Sequence, residues 1–295
     1  MKSIIITKLD GGLGNQMFQY AIGRRLSLLH GIPLLLDIRE YRNIRRGVTP
    51  RKYLLENFSI SAEIASSEIL SKIGPRTYID KILHPFDSRD RIPVVTERTF
   101  SFDEAILANH PPIYLAGYWQ TEKYFEDISE SIKAEFTLRT PVSSYAKNLL
   151  DEIKKTPHSI SVHVRRGDYA TNPQILKIHG LCGVDYYTRA LEKFNDLAPS
   201  EIRVFVFSDD IKWVKENLTI PFTATYIENP TVPSECEDLI LMANCKHNII
   251  ANSSYSWWGA WLNKNPEKRV ITPKQWLKKD SWNTHDRIPT SWDTL

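Results

Sequence analysis

The alternation of hydrophobic and polar positions near the start of the chain predicts a strand, a helix and a second strand. Residues 3–7 (SIIIT) are apolar and β-branched, as in a short buried strand, and residues 33–36 (PLLL) form the next candidate strand. Between them, apolar side chains recur at helical spacing and predict a helix over residues 15–29. A strand, a helix and a strand in this order favour a parallel sheet covered by helices.

The same alternation returns in the C-terminal half of the chain. It predicts strands over residues 159–164, 203–207, 247–251 and 269–272, and helices over residues 185–194, 211–216, 234–243 and 254–262. Residues 113–117 indicate a further strand and residues 121–136 a further helix, whereas residues 41–112 show no clear period.

Two such series predict an α/β protein of two doubly wound domains with a cleft between them. A proline-bearing stretch near residue 141 marks the boundary, which gives domains over residues 1–140 and 141–295. In sheets of this kind ligands gather at the carboxyl ends of the strands. Side chains that follow directly after a predicted strand are therefore the first candidates for a functional site.

Composition and charge exclude several classes of protein. The chain is 42% hydrophobic and 25% charged, and its net charge of +3 is too small to indicate a nucleic-acid surface. The three cysteines follow no zinc-site spacing, which favours free thiols in a reducing compartment. No apolar run reaches the roughly 18 residues that span a membrane. We therefore expect a cytosolic protein with at most a peripheral contact to the inner membrane.

The first cluster of candidate residues, DGGLGNQ, follows the first predicted strand. Its candidates are Asp10, Gly12, Gly14, Asn15 and Gln16. Its glycines let a ligand approach the backbone. Met17 stands where a dinucleotide-binding fingerprint has its third glycine, and the Lys-Ser/Thr pair of a P-loop is missing. By itself the loop fits either a tight turn or a ligand-binding turn.

The second cluster, HVRRGD, ends the strand over residues 159–164. Its candidates are His163, Arg165, Arg166 and Asp168. Two adjacent arginines after a buried strand fit either a solvated pair or a bidentate phosphate clamp. Because side chains alternate along a strand, His163 shares a face with Arg165, and its role depends on that arginine.

The third cluster, FSDD, follows the strand over residues 203–207 and contains Asp209 and Asp210. Ser208 or Asp209 would cap the next helix, with Asp210 near its positive end. The alternative is a carboxylate that accepts from a nucleobase or a hydroxyl group. We discount a glycosidase pair, because neighbouring residues rarely face each other at the ~5–10 Å that this chemistry needs.

The fourth cluster, NSSYSWWGAW, follows the strand over residues 247–251 and opens a helix. Its polar members are Asn252, Ser253, Ser254 and Ser256. The hydroxyl groups and the unpaired N–H groups of a helix start favour an anion. Trp257 and Trp261 lie four residues apart on one face, where packing in the core is favoured over stacking on a sugar.

Together, GGLGNQMFQYA, HVRRGDY, FSDD and NSSYSWWGAWL resemble the bacterial α-1,2-fucosyltransferases of glycosyltransferase family 11. That family is more distantly related to the α-1,6- and protein O-fucosyltransferases. The resemblance touches both ends of the chain, and HVRRGDY with SSYSWWGAW is its most specific part. It implies a GT-B fold of two Rossmann-like domains that face a central cleft, with the acceptor on the N-terminal domain and GDP-β-L-fucose on the C-terminal domain.

The activity implied by the resemblance is an inverting transfer of fucose to the O2 hydroxyl of a terminal galactose, in a surface glycan or an O-antigen. It implies no metal and no cofactor, so the partners are GDP-fucose and a galactoside acceptor. A different nucleotide sugar, or a non-catalytic protein that binds nucleotides or glycans, are the alternatives. The oligomeric state stays open.

The resemblance also implies roles for individual residues. Arg165 would neutralise the charge that develops on the leaving GDP, and Arg166 would support it or pair with Asp168. Substrate contacts are assigned to Gly12, Gly14, Asn15, Gln16, His163, Arg166, Asp209, Asp210, Asn252, Ser253, Ser254 and Ser256. Asp209 is favoured as a guanosine contact. Asp10 and Asp168 are the candidate general bases, with a water relay or a phosphate oxygen as alternatives.

Overall fold

The computed structural model describes residues 3–42, 50–74, 91–232, 234–278 and 284–295. Spatial contacts divide the chain into two compact units, Met1–Thr137 and Leu138–Leu295, called unit 1 and unit 2 below. Each unit contains one β-sheet, and all the strand pairs described are parallel. The predicted α/β class is confirmed.

Among the described residues, the sheet of unit 1 has five strands in the order β3-β2-β1-β5-β4. The strands are β1 (Ile5–Lys8), β2 (Leu34–Asp37), β3 (Glu63–Ile64), β4 (Val94–Thr96) and β5 (Ile113–Ala116). β1 is central, so the turn that follows it lies between the ends of β2 and β5. Sequence periodicity missed β3 and β4, because strands of two and three residues are too short to show it.

The long helix of unit 1 is α1 (Leu13–His30). It begins directly after Gly12 and ends at Gly31, whose left-handed φ of 64° lets its N–H reach the carbonyl of Leu28. The other helices of this unit in the described residues are α2 (Ser67–Leu70) and α3 (Ser129–Glu135).

The helix predicted over residues 121–136 is wrong in its first half. Two short 3₁₀ turns occupy Glu122–Tyr124 and Glu126–Ile128, and an α-helix begins only at Ser129. Phe125 separates the turns with φ −148° and ψ 14°, which no α-helix allows. The adjacent Tyr124 and Phe125 are both buried at this break.

The sheet of unit 2 has six strands in the order β11-β10-β9-β6-β7-β8. They are β6 (His158–Val164), β7 (Ile202–Ser208), β8 (Thr223–Tyr226), β9 (His247–Ile249), β10 (Val270–Thr272) and β11 (Asp293–Thr294). The helices are α4 (Ser144–Lys155), α5 (Gly167–Thr171), α6 (Pro173–His179), α7 (Val184–Glu192), α8 (Ile211–Asn217), α9 (Ser234–Asn244) and α10 (Ser254–Trp261).

Strand β6 lies at the centre of this sheet and is buried on both faces. Ile160, Val162 and Val164 enter a core cluster with Phe194, Val204 and their neighbours, while Ser159, Ser161 and His163 point to the other covered face. The strands beside β6 are β9 and β7. The three polar clusters of the C-terminal half therefore leave three adjacent strands at one edge of the sheet.

Close approach of α1 to its sheet gives a stability prediction at Gly23. A Cβ atom there would lie 2.8 Å from Leu34 Cδ1 and would also collide with the hydroxyl oxygen of Thr7. We expect Gly23→Ala to lower the free energy of unfolding by about 1–3 kcal/mol, although alanine is intrinsically the better helix former. Urea denaturation measures the change. Leu29→Ala, at a largely exposed position of the same helix, is the matched control and should cost clearly less.

Candidate active site

Arg165, the first residue after β6, is held between two carboxylates. Its two terminal nitrogens, Nη1 and Nη2, donate to Asp209 and Asp168 respectively. The aromatic ring of Tyr169 lies 5.1 Å from the guanidinium carbon. All three charged side chains are less than one third exposed, so the solvated-pair interpretation is wrong for Arg165.

Arg166 makes different contacts. Its guanidinium carbon lies 3.7 Å from the centre of the Trp213 ring, its Nε lies 3.4 Å from Asp210, and its backbone N–H donates to Asp209 at 2.8 Å. The predicted Arg166–Asp168 pair is wrong, since Asp168 binds Arg165 instead. Stacking on Trp213 explains the difference, because it turns the guanidinium towards α8.

The carboxylates of the third cluster have distinct structural tasks. Asp209 accepts from both arginines, through the side chain of Arg165 and the backbone of Arg166. Asp210 caps α8 by accepting from the N–H of Trp213 at 3.1 Å. The predicted cap at Ser208 or Asp209 is wrong by one or two positions, and the Ser208 hydroxyl accepts instead from the N–H of Asp210. A guanosine contact by Asp209 stays a prediction.

Gly167 makes the Asp209 contact possible. A Cβ atom at this position would collide with the Oδ2 of Asp209 and lie 3.7 Å from Nη1 of Arg165. Any other residue would therefore push the carboxylate away from the guanidinium. The glycine in HVRRGD is required by this close approach and not by an unusual backbone angle.

His163 is buried behind Arg165, with 5% of its surface exposed. Its ring meets the ring of Tyr255 edge-on at 5.5 Å, and no described protein group hydrogen-bonds its Nδ1. Burial, and then the charge of Arg165, lowers the pKa of His163 to about 3. The imidazole is therefore neutral at physiological pH and offers one acceptor and one donor nitrogen.

The serine cluster divides into residues that hold loops and residues at the start of α10. Asn252 is buried and its amide donates to the carbonyls of His179 and Trp276, so it ties three loops together. Ser253 is the N-cap residue, and its hydroxyl makes no capping bond to the helix. The Ser256 hydroxyl is buried and donates to the carbonyl of Ser253 at 3.3 Å. Ser254 is the first helical residue.

The tryptophans of α10 support this turn from behind. Trp257 and Trp261 stack at 6.0 Å and 12°, Trp258 is fully buried, and Trp257 Nε1 donates to the carbonyl of Arg287 at 2.6 Å. The prediction that they pack in the core is confirmed.

In unit 1, the glycine turn after β1 is fixed by two buried amides. Gln16 donates to the carbonyls of Gly11 and Lys52 and accepts from the N–H of Leu54, which leaves it enclosed. Gln19 accepts from the N–H of Asp10 and donates to the carbonyl of Gly117. A direct substrate contact by Gln16 stays a prediction, and what the structure shows is that it holds the loop.

The remaining candidates of this turn lie at the start of α1. Gly12 is its N-cap residue in extended conformation, and Gly14 lies in the first turn. Asn15 accepts from the side chain of Gln120 at 2.8 Å. Asp10 carries a loose ion pair to Lys8 at 3.7 Å. These residues belong to unit 1, whereas Arg165 and its neighbours belong to unit 2.

Sequence reasoning missed Trp213, Tyr169 and Gln19. Trp213 and Tyr169 carry the aromatic faces under the two arginines, and Gln19 joins the turns after β1 and β5. Helical spacing places Trp213 on the first turn after FSDD, which is the one signal that pointed to it. The contact of Gln19 with Gly117 spans 98 residues and leaves no local signal.

Within the ranges of the chain that the structure describes, no group of three or more His, Cys, Asp or Glu side chains is arranged to hold a metal ion. None of the helices in the same ranges is long and apolar enough to cross a membrane.

Residues 2–292 match the profile of glycosyl transferase family 11, and the chain belongs to that family. It is 35% identical to an α-1,2-colitosyltransferase of Escherichia coli over 98% of both chains. It is 33% identical to the O-antigen biosynthesis glycosyltransferase WbnK of E. coli, over 93% of this chain and 98% of the relative. The human galactoside α-(1,2)-fucosyltransferase 1 is 27% identical over 86% of this chain and 64% of the relative. The protein is thus a glycosyltransferase.

Solved structures support the fold. The NodZ α-1,6-fucosyltransferase soaked with GDP-fucose superposes with a TM-score of 0.53 at 15% identity, over 93% of this chain and 96% of that chain. At this identity the likeness concerns the fold alone, and the predicted GT-B class is confirmed.

Gly167 gives a direct test of the arginine site. We expect Gly167→Ala to reduce glycosyl transfer roughly 10- to 100-fold, because the added methyl group displaces Asp209 from Arg165. The thermal unfolding midpoint should fall only slightly. Gly183→Ala is the control, since a Cβ there meets no atom within 4 Å, and it should retain activity. Equal activity of the two variants would show that the Asp209 contact is dispensable.

His163 gives a prediction on acid stability. Its folded pKa of about 3 lies below the ordinary 6.5, so unfolding takes up a proton between these values. Its contribution to stability is full above pH 6.5 and falls as the pH drops towards 3, by at most about 1.4 kcal/mol per pH unit. We expect His163→Gln to flatten the pH dependence of the unfolding free energy between pH 6.5 and 4.5. Urea denaturation at several pH values gives the unfolding free energy of each protein. The values of wild type and variant are each expressed relative to that protein's own value at pH 8, and the two curves are compared. Parallel curves would contradict it.

Proposed function

We propose that the protein is an inverting galactoside α-1,2-L-fucosyltransferase that uses GDP-β-L-fucose without a metal ion. The observation that carries the proposal is Arg165, oriented by two carboxylates at the end of the central strand of unit 2. The setting is the synthesis of a surface glycan or an O-antigen, which accords with the E. coli relatives.

The linkage is supported by what the relatives have in common. The colitosyltransferase and the human fucosyltransferase bear the same α-1,2 linkage in their names, although they differ in the sugar transferred. The human enzyme is named for a galactoside acceptor. An α-1,2 transfer to a galactoside is therefore the activity we assign to this chain.

Arg165 would stabilise the leaving GDP. A guanidinium has five N–H donors, and the contacts to Asp168 and Asp209 use two of them, so donors remain for a phosphate oxygen. The carboxylates fix the plane of the fork before the substrate arrives. Because these N–H groups are already oriented, little free energy is spent on reorienting them as negative charge grows on the leaving group. The start of α10, with Ser253, Ser254 and Ser256, would hold the other phosphate oxygens.

His163 and Asp10 complete the assignment. A neutral, buried imidazole beside Arg165 is suited to a hydrogen bond with guanosine. For the proton of the galactose hydroxyl we favour Asp10 over Asp168. The Asp168 carboxylate binds Arg165 directly, whereas the ion pair of Asp10 with Lys8 is longer, at 3.7 Å.

Colitose is the second candidate for the transferred sugar, because the 35% identical relative is a colitosyltransferase. Colitose differs from fucose in lacking one ring hydroxyl group, so both donors present the same diphosphate to Arg165. Only protein contacts to that hydroxyl group would let the enzyme discriminate between the two donors.

The full-length protein should convert GDP-fucose and lactose to an α-1,2-fucosylated product in the presence of EDTA. Proton NMR of the product gives both the linkage and the anomeric configuration. A parallel reaction with GDP-colitose ranks the donors by kcat/KM. If EDTA lowered the rate of transfer and Mn²⁺ restored it, the reaction would be metal-assisted. If neither donor supported transfer, the proposal would be rejected.

Arg165 variants test the leaving-group role. We expect Arg165→Ala to lower kcat about 100- to 1000-fold, and Arg165→Lys to recover only a small part, because lysine keeps the charge but loses the fork. Arg189→Lys, in an exposed ion pair of the same unit, is the matched control and should remain active. Steady-state kinetics with circular dichroism as a fold check decide the matter. If the Arg165→Ala variant kept the kcat of the wild type, Arg165 would have no role in stabilising the leaving group.

A further inference from the structure

Helix α6 ends at a histidine, His179, which has no role in the reaction proposed above. Its imidazole ring stacks on the ring of Tyr169, with the ring centres 4.6 Å apart and the ring planes 23° apart. Tyr169 in turn lies against Arg165, whose guanidinium carbon is 5.1 Å from the centre of the tyrosine ring. The three side chains form a continuous contact from the end of α6 to the guanidinium, called the stack below.

The backbone at His179 is held by the serine cluster that follows β9. The carbonyl of His179 accepts from the side-chain amide of Asn252 at 2.8 Å, and Asn252 is 3% exposed. The neighbouring carbonyl of Ile178 accepts from the N–H of Lys278 at 2.8 Å. Gly180 ends the helix with a left-handed φ of 69°. These contacts fix the end of α6 and therefore the point from which the imidazole projects.

His179 connects the two clusters that we assign to the diphosphate. Its ring contacts Tyr169, which lies against Arg165, and its carbonyl binds Asn252, which directly precedes Ser253. The two clusters follow the neighbouring strands β6 and β9. A diphosphate bound by both clusters needs them at a fixed separation, because a misplacement of about 1 Å can cost a large part of the rate. The stack is placed to maintain that separation.

The imidazole of His179 is suited to this contact because it is uncharged at physiological pH. Burial, and then the charge of Arg287, lowers the pKa of His179; Arg165 acts in the same direction, and Asp168 opposes the shift without cancelling it. An imidazolium would repel the guanidinium of Arg165 and compete with it for the ring of Tyr169. A neutral imidazole packs on Tyr169 as an aromatic partner and leaves Arg165 as the cation at that ring.

We propose that His179 is a positioning residue for glycosyl transfer, which sets the orientation of Arg165 towards the diphosphate through the ring of Tyr169. The imidazole acts by its flat shape and transfers no proton. This inference rests on the proposed function, because it assigns His179 to the leaving-group site of that reaction. An imidazole that contacted the substrate or carried a proton would give the opposite result when replaced by phenylalanine, which keeps a flat ring but has no nitrogen atoms.

The first test compares His179→Ala with His179→Phe in the full-length protein, using GDP-fucose and lactose. We expect His179→Ala to lower kcat roughly three- to tenfold, which is the factor that an aromatic pair contributes, with the KM for GDP-fucose nearly unchanged. The reason is that Arg165 loses its alignment where charge develops on the leaving group. His179→Phe should keep kcat within about twofold of the wild type, because the stack remains.

The second test asks whether His179 acts through Tyr169. If it does, the double variant His179→Ala/Tyr169→Ala should have the same kcat as Tyr169→Ala alone, so that the two losses are not additive. Lys177→Ala, at an exposed position of the same helix, is the matched control and should leave kcat unchanged. Circular dichroism and the thermal unfolding midpoint check the fold of each variant.

The outcomes separate this inference from the proposed function. A His179→Phe variant as slow as His179→Ala, additive losses in the double variant, or an unchanged kcat in His179→Ala would each overturn the positioning role. Any of them leaves the proposed function standing when the wild type transfers fucose to lactose. If the wild type used only GDP-colitose, the proposed donor would be wrong, and the same variants assayed with GDP-colitose would still decide the role of His179. Absence of transfer from either donor would reject both.

Discussion

The pairing of Arg165 with Asp168 and Asp209 is the interaction on which the candidate active site depends. A guanidinium at the end of a buried strand needs partners, and here each carboxylate takes one terminal nitrogen. The two carboxylates come from different places in the fold: Asp168 lies in the helix that begins after the arginines, and Asp209 follows the neighbouring strand. The pairing therefore fixes the side chain to two elements at once and explains the glycine at position 167.

The rest of unit 2 supports that arrangement. The strand order β9-β6-β7 sets the serine turn, the arginines and FSDD side by side at one edge of the sheet. Trp213 lies under Arg166, and the stacked tryptophans of α10 hold the serine turn from the core. Burial keeps His163 neutral next to a permanent positive charge. The carboxylates of Asp168, Asp209 and Asp210 balance the charge of the two arginines and set the direction of their N–H donors.

Unit 1 presents a different set of side chains. Lys8 at the end of β1 lies 3.7 Å from Asp10 and 3.6 Å from Glu40, on turns beside those that the buried Gln16 and Gln19 hold in place. The same strand-helix-strand pattern therefore ends in arginines held by carboxylates in unit 2 and in a lysine between two carboxylates in unit 1.

The sequence by itself determined the α/β class, most long elements and the four polar clusters, because hydrophobic periodicity and residues at strand ends are local signals. It also marked Arg165 and the core role of Trp257 and Trp261. Only the tertiary structure decided that Asp168 pairs with Arg165 and does not pair with Arg166. It also decided that Asp210 caps α8 and that Phe125 interrupts the helix expected over residues 121–136. The orientation of Arg165 also depends on Asp209, 44 residues further along the chain, and the glycine turn depends on the contact of Gln19 with Gly117 across 98 residues. Strand order and side-chain packing create such contacts, and no local pattern encodes them.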